Sequence, residues 1–307
     1  MQQYLLQRLL FAIPVVVGVT GIVFAILFLT PGDPIRTMAG ERASEERVQE
    51  IRAQLGLDRP WPEQYLRWLG RAIQGDLGVS IAMKRPVTQL IGEQLPYTLR
   101  LTLTALSVGT LLGVILGVAA AVQQGSWLDH LISLTSLFWF SMPGFWLGLM
   151  LMLLFGLWLR WTPISGAKGS GALVLPVLTM ALPQMGSLAR LVRSEMLEVL
   201  QEEYIKTAHA KGVHPLWVLY RHALRNALIP VAVLIFLSLP WLLGGAVVVE
   251  TIFAWPGMGR LMYQALNQKD FPVVQGLLLI IALSTVVANL LGDIVTALLD
   301  PRIEQRV

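Results

Sequence analysis

Six long apolar runs divide the chain: Leu9–Thr30, then 98–122, 131–158, 173–192, 228–249 and 272–298. The first has 22 residues without a charge, about 33 Å as a helix, enough to cross the hydrocarbon core of a bilayer. It is too long for the apolar region of a signal peptide, and it passes straight into "LTPGDP" with no small-residue cleavage site, so it is read as a permanent span. The pattern predicts an all-α membrane protein with six transmembrane helices. The expected organisation is an N-terminal helix over 1–30, an insertion over 31–97, a membrane core over 98–300 and a tail over 301–307.

Two polar stretches stand out between the runs. The insertion, Pro31 to Tyr97, holds nine basic and nine acidic side chains in 67 residues. Ser44 is placed to cap a helix with Glu45 and Glu46 in its first turn, Val48, Ile51 and Leu55 on one face, and Gly56 as its stop. A second helix is expected from Pro62 through Tyr65, Leu66, Leu69 and Ile73 to Gly75, because proline suits a first turn and glycine an ending. The insertion is therefore expected to be folded, as a cap over the outer ends of the spans or as a docking surface. The other stretch, "EYIKTAHAKGVHPLWVLYRHALRNALIP" at 203–230, specifies a helix, a sharp turn and a helix. Acids Glu202 and Glu203 open the first helix, Lys211 lies in its last turn, Gly212 ends it, and Pro215 begins the next. Tyr204, Ile205 and Ala208 give it a small apolar face, with Lys206 and His209 elsewhere.

Composition sharpens the reading. Hydrophobic residues make up 55% of the chain and charged ones 14%, against about a quarter charged in ordinary soluble domains. Cysteine is absent, which excludes disulfides and thiolate metal sites. The net charge of +4 reflects Lys and Arg kept on the cytoplasmic side of a membrane protein rather than nucleic-acid binding. With the N-terminus inside, the inner short segments carry nine basic residues (Arg8, Arg190, Arg193, Lys206, Lys211, Arg221, Arg225, Arg302, Arg306) and the outer ones four (Arg160, Lys168, Arg260, Lys269). Both termini are thus expected in the cytoplasm and the insertion outside.

Within the spans, Gly109, Gly113 and Gly117 recur every four residues, and Gly144, Gly148 and Gly156 share a face, a spacing that lets membrane helices approach closely. Pro143, Pro176, Pro183 and Pro240 are expected to interrupt or kink their spans. No Asp, Glu, Lys or His lies near the middle of any span; the ionisable residues Arg100, Arg190, Glu250 and Asp293 are at the edges. Proton- or sodium-coupled carriers generally need ionisable groups or unwound coordination sites at that depth. None of the five lysines follows a glycine, so no phosphate-binding P-loop exists. The four histidines, His130, His209, His214 and His222, fall in predicted cytoplasmic loops, and neither H-E-x-x-H nor G-x-S-x-G occurs. No nucleophile and base lie together inside a span, so enzyme readings find no chemistry to stand on.

"YIKTAHAKG" followed by "RHALRNALIP" resembles the cytoplasmic coupling loop of ABC importer permeases, in the peptide and nickel branch that includes the dipeptide permease B subunit. The resemblance covers the whole chain. It extends through "LTPGDP" at 29–34, "LGLDRPWPEQY" at 55–65, "GDLGVS" at 75–80, "SMPGFWLG" at 141–148, "ETIFAWPGMGRL" at 250–261 and "DFPVVQG" at 270–276, in order. Against the general Glu-Ala-Ala, three residues, Gly pattern, the chain has Lys206, Thr207 and Ala208 before Gly212, so only the last alanine and the glycine are kept.

The resemblance implies a type I ABC importer transmembrane fold and a transport subunit with no catalytic residue, metal or cofactor of its own. ATP and Mg would belong to two partner ATPase subunits. A homologous second permease and an extracytoplasmic solute-binding protein complete the implied complex, with membrane lipid around it. Within the coupling loop, 193–227, the implied ATPase contacts are Tyr204, Thr207, Ala208, Lys211, Gly212, His222, Arg225 and Asn226. Trp255, Pro256, Gly257 and Arg260 are candidates for the binding protein. Thr102, Ser141, Gln184, Ser238 and Asn289 are candidates for the pathway. Short peptides are the favoured cargo, with nickel or metal chelates and glutathione as alternatives. A stand-alone channel or carrier, or a membrane enzyme, remain as rivals from other classes.

Overall fold

The computed structural model describes residues 2–29, 44–46, 48–49 and 58–299. Within the described residues the six apolar runs fall in α1 (Gln2–Leu29), α3 (Val87–Val122), the pair α4 and α5 (Trp127–Ser141 and Gly144–Leu151), α6 (Val174–Leu200), α9 (Arg225–Ile252) and α11 (Phe271–Leu299), and four helices, or five spans with the bent pair, are long and apolar enough to cross a membrane, against the six expected. Between them lie α2 (Trp61–Ile73), α7 (Glu203–Ala210), the short α8 (Pro215–Trp217) and α10 (Met258–Asn267). Among the described residues no strand forms, and Val79 and Pro86 make an isolated bridge. An all-helical answer is expected in lipid, where a helix satisfies every backbone group within its own segment.

The third predicted span is not one rod. Two helices, Trp127–Ser141 and the stretch from Gly144 to Trp158, meet at a bend of 103°. Pro143 causes it: the residue before a proline is pushed out of the helical region, and Met142 is extended at ψ 128°. Beyond Leu151 the second arm winds into a π-helix, Met152–Trp158. The other flagged prolines do not interrupt their helices. Pro176 sits in the first turn of α6, where no partner for its missing N–H is needed, while Pro183 lies inside α6 and Pro240 inside α9.

Of the helix expected from Ser44 to Gly56, the described residues 45, 46, 48 and 49 are helical, and the Val48 N–H donates to the Ser44 carbonyl at 3.1 Å. The rest of it lies outside the described residues, as does "LTPGDP" beyond Leu29. The second expected helix is α2, with Pro62 in its first turn and Gly75, at φ +84°, just after its end.

The described residues form two compact units. One comprises Gln2–Thr98 and Pro256–Val286. Its core packs Phe24, Trp68, Leu77, Val87, Ile91, Met262, Val273 and Leu277. Here "GDLGVS" meets "DFPVVQG": the buried Asp270 carboxylate accepts from the Ser80 hydroxyl and from the N–H groups of Ile81 at 3.0 Å and Ala82 at 3.1 Å. Gly276 lets α11 lie against α3, since a Cβ there would stand 2.7 Å from Val87 Cγ1. The Met258 N–H, at the start of α10, donates to Thr98 Oγ1 at 2.8 Å.

The other unit holds Leu99–Trp255 and the end of α11 from Val287. Helix α6 is its centre, gripped on one side by the glycine face of α3. A Cβ on Gly109 would stand 2.9 Å from the Ala181 carbonyl, on Gly113 2.7 Å from Leu188 Cβ, and on Gly117 2.6 Å from Val192 Cβ. On its other side α6 meets α4, where Gly186 lies against the Ser136 carbonyl. Of the second glycine set, Gly148 and Gly156 have close neighbours in Thr179, Phe253 and Ile164, whereas Gly144 faces open space.

Candidate functional site

Helix α7 is eight residues long, and both its ends are set by sequence. Gly212 adopts φ +75°, its N–H donates to the His209 carbonyl at 2.9 Å, and the Val213 N–H donates to the Ala208 carbonyl at 3.2 Å. This is a Schellman closure, which needs a left-handed residue at the glycine position. Two residues later the His214 ring accepts the Leu216 N–H at 3.3 Å and Pro215 starts α8. The second helix expected from Leu216 to Arg225 is not separate. Helix α8 passes through a π-helical turn, Val218–Leu224, directly into α9.

Ile205 fastens α7 to the membrane core. Its side chain is 2% exposed and shares a cluster with Ala121, Leu188, Val192, Met196, Val218 and Ala223. Beside this anchor the surface is open. Tyr204, Thr207, Ala208, Lys211, Val213 and His222 line a cleft of about 360 Å³. Asn226 ties its rim, donating to the Tyr204 hydroxyl and to the His222 carbonyl, each at 2.9 Å. Of the eight residues expected here, five line the cleft, Asn226 braces Tyr204, and Gly212 and Arg225 are exposed beside it. The cleft presents one lysine, one imidazole and two hydroxyls, and among the described residues no cluster of metal-ligating side chains exists.

Ten residues before α7, Arg193 makes two hydrogen bonds to Asp129, at 2.6 and 2.7 Å. The carboxylate also accepts the Gly125 N–H at 2.9 Å, and Ser126 caps α4 by accepting the Asp129 N–H at 3.3 Å. The pair pins the turn between α3 and α4 to the end of α6 that carries α7. Sequence reasoning passed over Asp129, although Ser126-x-x-Asp129 is a recognisable helix-start signal. Nothing local announced that its partner would be Arg193. Val213, which lines the cleft, was missed as well.

The remaining candidates are scattered. Trp255 is a core residue, 2% exposed, packed with Phe253 and Val249, so in this structure its side chain is not a contact surface. Gly257 is also buried, at the start of α10, which leaves Pro256 and Arg260 half-buried as the accessible members of that set. Gln184 and Ser238 are brought together, the amide donating to the hydroxyl at 3.1 Å. Thr102 is buried and donates to the Leu99 carbonyl, while Ser141 and Asn289 are exposed.

Apolar helices of spanning length with a polar loop helix between them define a multi-pass membrane protein. Residues 113–305 match the family described as binding-protein-dependent transport system inner membrane component, and residues 1–102 match its N-terminal family. The glutathione transport system permease protein GsiC of Salmonella paratyphi A is 40% identical over 306 residues, covering all of both chains. The oligopeptide transport system permease protein AppB of Bacillus subtilis is 39% identical over 315 residues, covering 99% of this chain and all of that one. Among solved structures, the inward-facing MetNI methionine ABC transporter aligns with a TM-score of 0.58 at 20% identity, over 71% of this chain and 100% of that chain. A histidine-bound amino acid ABC transporter gives 0.52 at 17% identity, over 70% and 94%. The chain therefore belongs to the binding-protein-dependent inner membrane transport components and is a permease subunit of an ABC importer. Membership implies ATPase and solute-binding partners.

Proposed function

We propose that this chain forms half of an alternating-access pathway for short peptides, paired with a second homologous permease and driven by two cytoplasmic ATPase subunits. The relatives' names support a peptide-like cargo, and glutathione is itself a tripeptide. ATP and Mg reside on the partners, and this chain contributes no cofactor site or catalytic residue. Both termini and the 193–227 loop face the cytoplasm. The 31–97 insertion and the half-exposed Pro256 and Arg260 face the solute-binding protein. The core over 98–300 carries the pathway, with the Gln184–Ser238 pair its best-supported polar element.

The observation that carries this reading is the α7 cleft. A short helix closed at Gly212 and anchored by Ile205 transmits a push without bending, and its open side presents Tyr204, Thr207, Ala208, Lys211 and His222 to a partner. The absence of cysteine makes the test clean. Single cysteines at 208 and at 212 should cross-link to a cysteine-bearing ATPase subunit, and proteoliposomes should import labelled peptides only when ATP and all partners are present. Uphill transport by the isolated chain, or failure of both positions to capture the ATPase in an active complex, overturns the proposal.

A further inference from the structure

Helix α2 has three faces. Its inward face packs Tyr65 and Trp68 against Phe24 of α1, with ring centroids 5.6 and 6.4 Å from the phenyl ring. A second face is charged: Glu63 lies between Arg59 at 2.5 Å and Arg67 at 3.2 Å, and Arg71 continues the row. The bond from Arg59 holds the Glu63 carboxyl below the usual carboxylate range. The third face is apolar and uncovered. Leu66 and Ile73 are 65% and 79% exposed. Seven residues apart, they stand within about 20° of one another around the helix.

The depth of α2 decides what covers that third face. The Tyr65 and Thr20 hydroxyls are 2.8 Å apart, and Tyr65 donates to the Val17 carbonyl at 3.0 Å. Thr20 is nine residues before the end of α1 at Leu29, and Phe24 is five. At 1.5 Å per residue these contacts lie about 14 and 8 Å inside the end of the helix. From that level inward, Ile22, Val19, Val17, Val15 and Ile13 of α1 are themselves exposed, as befits a lipid-facing span. An amphipathic helix seated in an interface buries its apolar face about 5–10 Å into the headgroup and acyl boundary while its cations reach outward.

We propose that α2 is an interfacial helix whose Leu66 and Ile73 stripe is covered by lipid acyl chains, with the Arg59–Glu63–Arg67 row turned toward headgroups and water. The insertion then carries its own membrane anchor, and α1 and α2 together present a continuous apolar surface to one leaflet. This goes beyond the transport reading and needs only that α1 spans the bilayer.

The cysteine-free chain permits single nitroxide labels at Leu66→Cys, Ile73→Cys and Arg67→Cys in the full-length protein, in phosphatidylethanolamine–phosphatidylglycerol vesicles. Relaxation by oxygen and by a water-soluble nickel chelate is then compared, with and without the partner subunits and binding protein. Labels at 66 and 73 should respond to oxygen several-fold more than to the chelate, with the order reversed at 67. The ratios should not change when the binding protein is added. Equal chelate access at 66, 73 and 67 overturns the proposal. Shielding of 66 and 73 from both reagents, whether constant or appearing with the binding protein, overturns it in favour of a protein partner. Both positions are exposed, so the labels do not tax folding, and unchanged ATP-dependent uptake by the labelled complex confirms this separately.

Discussion

The ion pair of Asp129 and Arg193 yields an asymmetric prediction. The Asp129 side chain is 4% exposed and that of Arg193 30%. Arg193→Ala strands a buried carboxylate that keeps only the Gly125 N–H and a weak bond from Ser133 at 3.4 Å. Breaking a buried pair by removing one partner costs about 3–5 kcal/mol. Asp129→Ala leaves a guanidinium that already reaches water, so the loss is closer to that of its charged hydrogen bonds, about 1.5–3 kcal/mol. The double variant removes both charges and should be less damaged than Arg193→Ala alone. Thermal unfolding of the detergent-purified chain reads this directly, at roughly 2–4 °C per kcal/mol for a domain of this size. The expected order of Tm is wild type, Asp129→Ala, double variant, Arg193→Ala. If Asp129→Ala is the more harmful, or the two losses simply add, the burial argument is wrong.

Three further outcomes follow from local geometry. A Cβ at Gly212 meets no atom within 4 Å, so the cost of Gly212→Val is set by the φ of +75°, about 1–2 kcal/mol. Uptake and substrate-stimulated ATPase activity of the assembled complex should fall, while Gly212→Asn, which tolerates that φ, retains most of both. Unchanged coupling in the valine variant contradicts a rigid α7. Gly117→Ala drives a Cβ to within 2.6 Å of Val192 Cβ, whereas Gly18 has nothing within 4 Å. The first should lose about 1–3 kcal/mol and the second should be near neutral in thermal melts; equal effects refute the close α3–α6 approach. Asp270→Ala orphans the N–H groups of Ile81 and Ala82, at about 1–3 kcal/mol each. Trypsin should then cut after Lys84 markedly faster than in the wild type, and an unchanged digestion rate counts against the turn being held by this carboxylate.

The sequence by itself determined what depends on neighbours along the chain. Apolar runs of spanning length located the four helices and the bent pair that, among the described residues, are long and apolar enough to cross a membrane, because lipid leaves the backbone no partner but its own segment. Proline at 62 and 215 and glycine at 75 and 212 marked the ends of α2, α7 and α8, because their φ preferences act locally. The ordered motifs gave the family, and the five cleft residues named from the sequence came with that resemblance; periodicity alone grouped Tyr204 and Ala208 with Ile205, which is the one of the three that packing buries. The tertiary structure decided what depends on distant partners. Asp129 finds Arg193 across 64 positions and Ser80 finds Asp270 across 190; a carboxylate's own neighbours do not say which donor the fold will bring. Trp255 looked like a contact residue because it sits in a loop, and only packing around Phe253 buried it. The 103° bend at Met142–Pro143 distinguishes this proline from Pro183 and Pro240, which lie inside continuous helices. Depth, finally, is a property of α1 and α2 together: the amphipathic pattern of α2 is plain in sequence, but the level at which Tyr65 meets Thr20 is fixed by packing alone.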